Sequence, residues 1–337
     1  MNPRLLLAAL ATTATLLTLP TTPAAAAPSA TATTPAAAAP RVTATTPAAP
    51  KVPLTLPAPA GRHPRFHEYV ALGDSWSADV TVLGIDSTYA PTGCAQSTWN
   101  YPKQVAAQLH IDVFRDATCG GATTAEMTAP QNVGRVPLLA QGVNPAQFDR
   151  LTPTTDLVTV GIGGNDIGLA SAIVGCLNPL PAPLGSPCRN RFTRADGTDV
   201  MSQRIAETKS RIADVLTGIK HRSPHATVLV VDYLAGVAAD RGCYPLVPIQ
   251  DPDMTWFGAR LRELNGMLAD AAVENGASFV DTYDGSRGHD VCAPAGTRWV
   301  EGLAPLSTDP PGLAVPFHPN RLGADHQAAT VLSVLVS

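Results

Sequence analysis

Short apolar runs alternate with helical stripes from about residue 66 to the end of the chain. Tyr69-Val70-Ala71-Leu72 has no polar alternation, the pattern of a strand buried on both faces in a parallel sheet. Pro102 to Leu109 predicts a helix, with its proline in the first turn, where a missing N–H costs nothing. Ile111 to Ala117, Leu157 to Ile162, Ala226 to Val231 and Ala277 to Val280 predict four further strands. Met201 to Ile219 repeats apolar residues near helical spacing, at Ile205, Ile212, Val215, Leu216 and Ile219. Phe257 to Asn275 predicts a helix with Asn275-Gly276 as its stop, and Asn320 to Leu335 a terminal helix. Alternation of this kind predicts an α/β fold: an open, mostly parallel sheet with helices on both faces. Irregular stretches at 76–100, 176–200, 241–255 and 284–316 are candidate pocket walls.

The first sixty residues follow a different pattern. Arg4, then the apolar run Leu5 to Leu19, then Pro20, Pro23 and the small residues Ala24 to Ala27 read as a secretory signal over 1–27. A membrane anchor would want roughly 20 apolar residues without such breakers, so no stable span is expected. Residues 28–61 are almost wholly Ala, Pro and Thr, a composition that favours an extended tether or pro-segment over packed structure. Residues 62–337 are left as one α/β domain, and a secreted, extracellular protein is expected.

Charge and cysteine content narrow the picture further. Setting aside Arg4, Arg41 and Lys51 leaves 20 basic residues against 27 acidic ones, with no basic cluster interleaved with aromatics. Nucleic acid is therefore not an expected partner. Six cysteines stand at 94, 119, 176, 188, 243 and 292. An even number behind a secretory signal argues for three disulfides, for which fifteen pairings exist. Sequential pairing is the simplest: Cys94–Cys119, Cys176–Cys188 and Cys243–Cys292. The first would brace the loop holding Gly120 and Gly121. No Cys-x-x-Cys spacing occurs, so no metal site is expected.

Four short motifs carry candidate chemistry. Gly73-Asp74-Ser75 follows the first predicted strand, and Ser75 is a candidate nucleophile, although Asp and Ser after a glycine also make ordinary turns and caps. Gly121 follows the second strand and could offer a backbone N–H. Gly163-Gly164-Asn165-Asp166 follows the third; Asn165 could offer its carboxamide, and Asp166 could cap a following helix. A nucleotide loop is excluded, because Asp166 stands where its third glycine would be and no lysine follows. His318-Pro319-Asn320 opens the terminal helix, and His318 is a candidate base. His221, His225, His289 and His326 lack a matching context and are expected at the surface. In open parallel sheets ligands bind at the carboxyl ends of the strands, so three of these segments converge on one edge.

In this order and spacing the motifs resemble the SGNH hydrolases, the GDSL esterase/lipase family, over about residues 66–337. Ser75, Gly121, Asn165 and His318 match the serine, glycine, asparagine and histidine blocks. The resemblance implies the three-layer, flavodoxin-like SGNH hydrolase fold with about five strands. It also implies a cofactor-free carboxylic ester hydrolase whose oxyanion is held by Ser75, Gly121 and Asn165. One departure stands out: many members place an aspartate three residues before the histidine, and here that residue is Val315. The Val315 carbonyl is expected to orient the imidazole instead, with Asp309 as the rival. Activity is expected to fall as pH drops through the imidazole range. A monomer acting on small fatty-acyl esters or lipids is expected. A carbohydrate acetyl esterase of the same fold and a non-catalytic cell-wall binding module are the alternatives.

Overall fold

The computed structural model describes residues 65–133, 142–181, 183–238, 240–305 and 313–336. The expectations for 1–27 and 28–61, and Asp309 as rival, lie outside them. Among the described residues seven strands form: β1 (Glu68–Gly73), β2 (Val113–Asp116), β3 (Gln131–Asn132), β4 (Val143–Asn144), β5 (Leu157–Gly161), β6 (Thr227–Val231) and β7 (Ser278–Val280). Five of them make a parallel sheet in the order β2-β1-β5-β6-β7, and β3 and β4 form a separate antiparallel ribbon. The helices are α1 (Tyr101–Gln108), α2 (Leu169–Gly175), α3 (Val200–Arg222), α4 (Asp251–Glu274) and α5 (Arg321–Val336).

The alternation of side chains along β1 explains the layering. Tyr69 and Ala71 join a core built with Tyr101 and Val105 of α1 and Ala328, Val331 and Leu335 of α5. Val70 and Leu72 point the other way, into a larger core with residues of α2, α3 and α4. Every residue of β1 is buried, as a strand covered on both faces requires. Burying a side chain such as Leu72 contributes roughly 1.5–3 kcal/mol.

Caps mark the helix boundaries. Asp199 accepts from the N–H groups of Met201 and Ser202 to open α3. Asn320 accepts from Leu322 and Gly323 to open α5. Helix α4 begins six residues before the predicted start at Phe257, inside a stretch expected to be irregular. Its first turn holds Asp251, Pro252 and Asp253. The Asp253 carboxylate accepts from the N–H groups of Cys188 and Arg189 at 2.7 and 3.0 Å. Helix α2 is the helix expected after Asp166, but its seven residues are too few for a periodic stripe to mark its bounds.

The strand order reverses beside β1, whose neighbours are β2 and β5. Such a switch point opens a crevice at the carboxyl ends of the strands. Gly73 and Gly161 face one another there in register. A Cβ on Gly73 would lie 2.5 Å from Ser77 Oγ and 2.6 Å from the Gly161 carbonyl, so only glycine lets the chain turn this closely after β1. Among the described residues, no helix is long and apolar enough to cross a membrane.

Candidate active site

Ser75 leaves β1 on that turn, and its hydroxyl oxygen lies 2.9 Å from Nε2 of His318. The two residues come from opposite ends of the domain. His318 is carried on a braced loop: Val315 N–H donates to the Val80 carbonyl, Phe317 N–H to the Glu301 carbonyl, and Glu301 N–H to the His318 carbonyl. Phe317 takes a left-handed φ of 63°. Beneath the loop, Arg298 and Glu301 form a buried ion pair at 3.1 Å, and Asn320 donates to both the Arg298 carbonyl and the Glu301 carboxylate.

The other ring nitrogen bonds most directly to the carbonyl next to the one expected. His318 Nδ1 lies 2.9 Å from the carbonyl oxygen of Pro316, and the Val315 carbonyl adds a weaker interaction with the ring. The Val315 carbonyl already accepts from the main-chain N–H of His318, at 3.1 Å, closing a tight turn. With Nδ1–H donating to Pro316, Nε2 carries the lone pair that faces Ser75. Burial holds the imidazole at about 4, and the carbonyls of Pro316 and Val315 offset only part of that effect. The ring therefore stays neutral through the ordinary imidazole range.

Glycine and asparagine motifs flank the serine. Gly120 is held by the Cys94 carbonyl and by Gln131 Nε2, and Gly121 follows with a φ of 77°. Asn165 Nδ2 donates to the Ala122 carbonyl at 2.9 Å, which fixes the rotation of the carboxamide and leaves its second N–H free to point elsewhere. Among the described residues, no protein group accepts the main-chain N–H of Ser75 or Gly121. Asp166 does not cap the next helix, whose N-cap is Gly168. Its carboxylate instead accepts from Thr124 N–H and Oγ1, and Arg211 stands 3.6 Å away.

A cavity of about 350 Å³ opens beside Ser75 and His318. Leu169, Ile173 and Val174 of α2, with Leu177, Leu303 and Phe317, give it an apolar wall. Three of the irregular stretches supply lining residues as expected of them, through Trp76, Leu177 and Leu303 with Val315 and Pro316, and α2 supplies more; the 241–255 stretch supplies none. Disulfides join Cys94 to Cys119, Cys176 to Cys188 and Cys243 to Cys292. Among the described residues no group of His, Cys, Asp or Glu is arranged to hold a metal ion.

Two histidines expected at the surface are partly enclosed. His289 stacks on Trp299 with ring centroids 3.9 Å apart, and His326 packs against the same indole at 4.6 Å.

A serine and a neutral imidazole at the switch point of a parallel sheet, beside unspent N–H groups, define an α/β ester hydrolase. The chain belongs to the GDSL-like lipase/acylhydrolase family, whose profile matches residues 71–326. It is similar to Lipase 2 of Streptomyces coelicolor, at 37% identity over 283 residues, covering 82% of this chain and 88% of that protein. A lipase of Streptomyces rimosus is 28% identical over 239 residues, covering 70% and 76%. Among solved structures, phospholipase A1 from Streptomyces albidoflavus superposes with a TM-score of 0.61 at 23% identity, over 80% of this chain and 99% of that one. The extracellular lipase of Streptomyces rimosus gives 0.58 at 24% identity, over 80% and 100%. These two share the SGNH hydrolase fold with this protein.

Proposed function

We propose that this ester hydrolase is a secreted serine lipase or esterase that cleaves fatty-acyl esters through an acyl-enzyme, with Ser75 and His318 as a dyad. The observation that carries the reading is the 2.9 Å approach of His318 Nε2 to Ser75 Oγ. Nε2 takes the hydroxyl proton as Oγ attacks the ester carbonyl. The oxyanion is held by the N–H groups of Ser75 and Gly121 and by the Asn165 carboxamide. His318 then gives its proton to the departing alcohol oxygen. Water repeats the sequence on the acyl-enzyme, releasing the acid and restoring the serine.

The Pro316 carbonyl keeps the tautomer and adds no charge, so the imidazolium of the transition state is balanced by the oxyanion rather than by a carboxylate. The apolar cavity wall supports an acyl chain as the part that is buried. Secretion is supported by the three disulfides and by the extracellular lipase among the structural relatives. Residues 1–27 are assigned as its signal and 28–61 as a tether or pro-segment, and the active species is a monomer.

The test is Ser75→Ala assayed on p-nitrophenyl esters, with mass spectrometry of wild type after a fluorophosphonate probe. Wild type gains one adduct, on Ser75, and the variant is inactive. Full turnover by Ser75→Ala, or an adduct elsewhere, sinks the reading.

A further inference from the structure

Tyr233 lies two residues beyond the end of β6, buried under the turn that carries the serine. Its main chain is gripped by one residue of α4: Asn265 Oδ1 accepts from its N–H at 3.2 Å, and Asn265 Nδ2 donates to its carbonyl at 2.7 Å. Its ring meets Trp76 edge-on, with centroids 5.5 Å apart and planes at 68°. The phenol oxygen therefore has a set position, and it makes two bonds there. Gly164 N–H donates to it at 2.7 Å, and it lies 2.6 Å from Asp74 Oδ2. An amide N–H can only donate and a phenol has one proton, so the chain of bonds runs from Gly164 through the phenol to Asp74.

The partners are informative by position. Asp74 directly precedes Ser75, and Gly164 directly precedes Asn165. One oxygen atom thus bridges the turn after β1 and the turn after β5. The second Asp74 oxygen accepts from Trp76 N–H at 2.9 Å, so the carboxyl spans Ser75 and leaves the Ser75 N–H unclaimed. Burial pushes the Asp74 carboxyl up to about 7, opposed by its bonds from Tyr233 and from Trp76 N–H; the charge of Asp166 adds to the rise. Glycine at 164 fits the same arrangement, since a Cβ there would stand 3.0 Å from the phenol oxygen.

The serine turn does not depend on the phenol for its existence. Gln147 holds Gly73 at both its N–H (2.8 Å) and its carbonyl (2.9 Å), and Asp74 N–H donates to the Gly161 carbonyl. Removing the phenol oxygen would leave this turn standing but unlink it from the Asn165 turn.

We infer that Tyr233 is a positioning residue for ester cleavage: its phenol sets where the Asn165 carboxamide stands relative to the Ser75 hydroxyl. The inference rests on the roles proposed above for Ser75 and Asn165. Tyr233→Phe keeps the ring and its packing on Trp76 and removes only the bridge. It lowers kcat about tenfold and leaves KM within about twofold, since misplacing a transition-state donor costs turnover and not binding. In an Asn165→Ala background the same change lowers kcat by less than about twofold, because the group being positioned is gone. Gly164→Ala pushes a methyl against the phenol and gives the same pattern, and it serves where Tyr233→Phe melts below the assay temperature. Tyr233→Phe with kcat within about twofold of wild type overturns the inference. So do losses from Tyr233→Phe and Asn165→Ala that simply multiply. Ser75→Ala in parallel separates the two levels: an active Ser75→Ala refutes the serine reading, whereas an inactive one beside an unaffected Tyr233→Phe refutes only the positioning role.

Discussion

Thr124 gives both its main-chain N–H and its hydroxyl to the carboxylate of Asp166, at 3.0 and 2.5 Å. The loop bearing Gly121 is thereby tied to the loop bearing Asn165. The proposed oxyanion donors are held by bonds that substrate does not have to form, which is what preorganisation means in physical terms.

Asn165→Ala should therefore remove a donor without loosening the loop. Its side chain makes one bond to the Ala122 carbonyl, while Asp166 keeps the loops joined. The expected loss is about 10²–10³ in kcat, with KM little changed. Steady-state kinetics on a soluble ester measure it, and a loss of less than about threefold would remove Asn165 from the oxyanion site.

The pH profile is the second expectation. A base depressed to about 4 is neutral above that pH and is lost only as pH falls through it. The limb of kcat/KM that reports His318 should be centred near that value, well below any step that Asp74 contributes near 7. Val315→Asp, which supplies a carboxyl three residues before the histidine, should raise that limb by about one unit or more. A wild-type limb centred near 6.5 would show that the imidazole is more solvated than its surroundings indicate.

The bridge between Cys94 and Cys119 closes a separation of 25 residues next to Gly120, whose N–H donates to the Cys94 carbonyl. A closed loop of that size contributes about 2–4 kcal/mol. Replacing both cysteines by serine should lower Tm by about 5–15 °C. It should also reduce kcat at temperatures where the variant is still folded. Retained activity with lowered Tm would separate the bridge from the Gly121 loop.

Acyl-chain preference should follow the α2 wall. Val174 lines the cavity and is 65% exposed, so a larger side chain fits there without disturbing the core. Val174→Trp should cut kcat/KM for long-chain p-nitrophenyl esters by about tenfold and spare the butyrate, since lost apolar contacts scale with the methylenes displaced. Equal effects on both esters would place the acyl chain elsewhere.

Most of the framework was legible in the chain because its strands are covered on both faces. Tyr69 to Leu72 has no polar residue, and every one of those side chains is buried. Ser75, Asn165 and His318 were legible because each follows a glycine turn or opens a helix. Bonds that depend on tertiary contact were not. Asp166 looks like a cap in sequence, yet its partner Thr124 lies on another loop. Val315 has the expected offset and its carbonyl does act on the ring, but the left-handed residue Phe317 turns the chain so that Pro316 makes the 2.9 Å bond. The early start of α4 had a readable signal in Asp251-Pro252-Asp253, acids and proline in a first turn. Tyr233 had none, being a lone tyrosine after a strand, except that Gly164 leaves room for its phenol.

The hydroxyl of Ser75 and the ring of His318 are separated by 243 positions. The proposed nucleophile and base thus come from the turn after β1 and from the approach to α5. A polypeptide halted before its final segment would own the attacking group without its proton acceptor. On the proposed mechanism, ester cleavage consequently requires the finished domain.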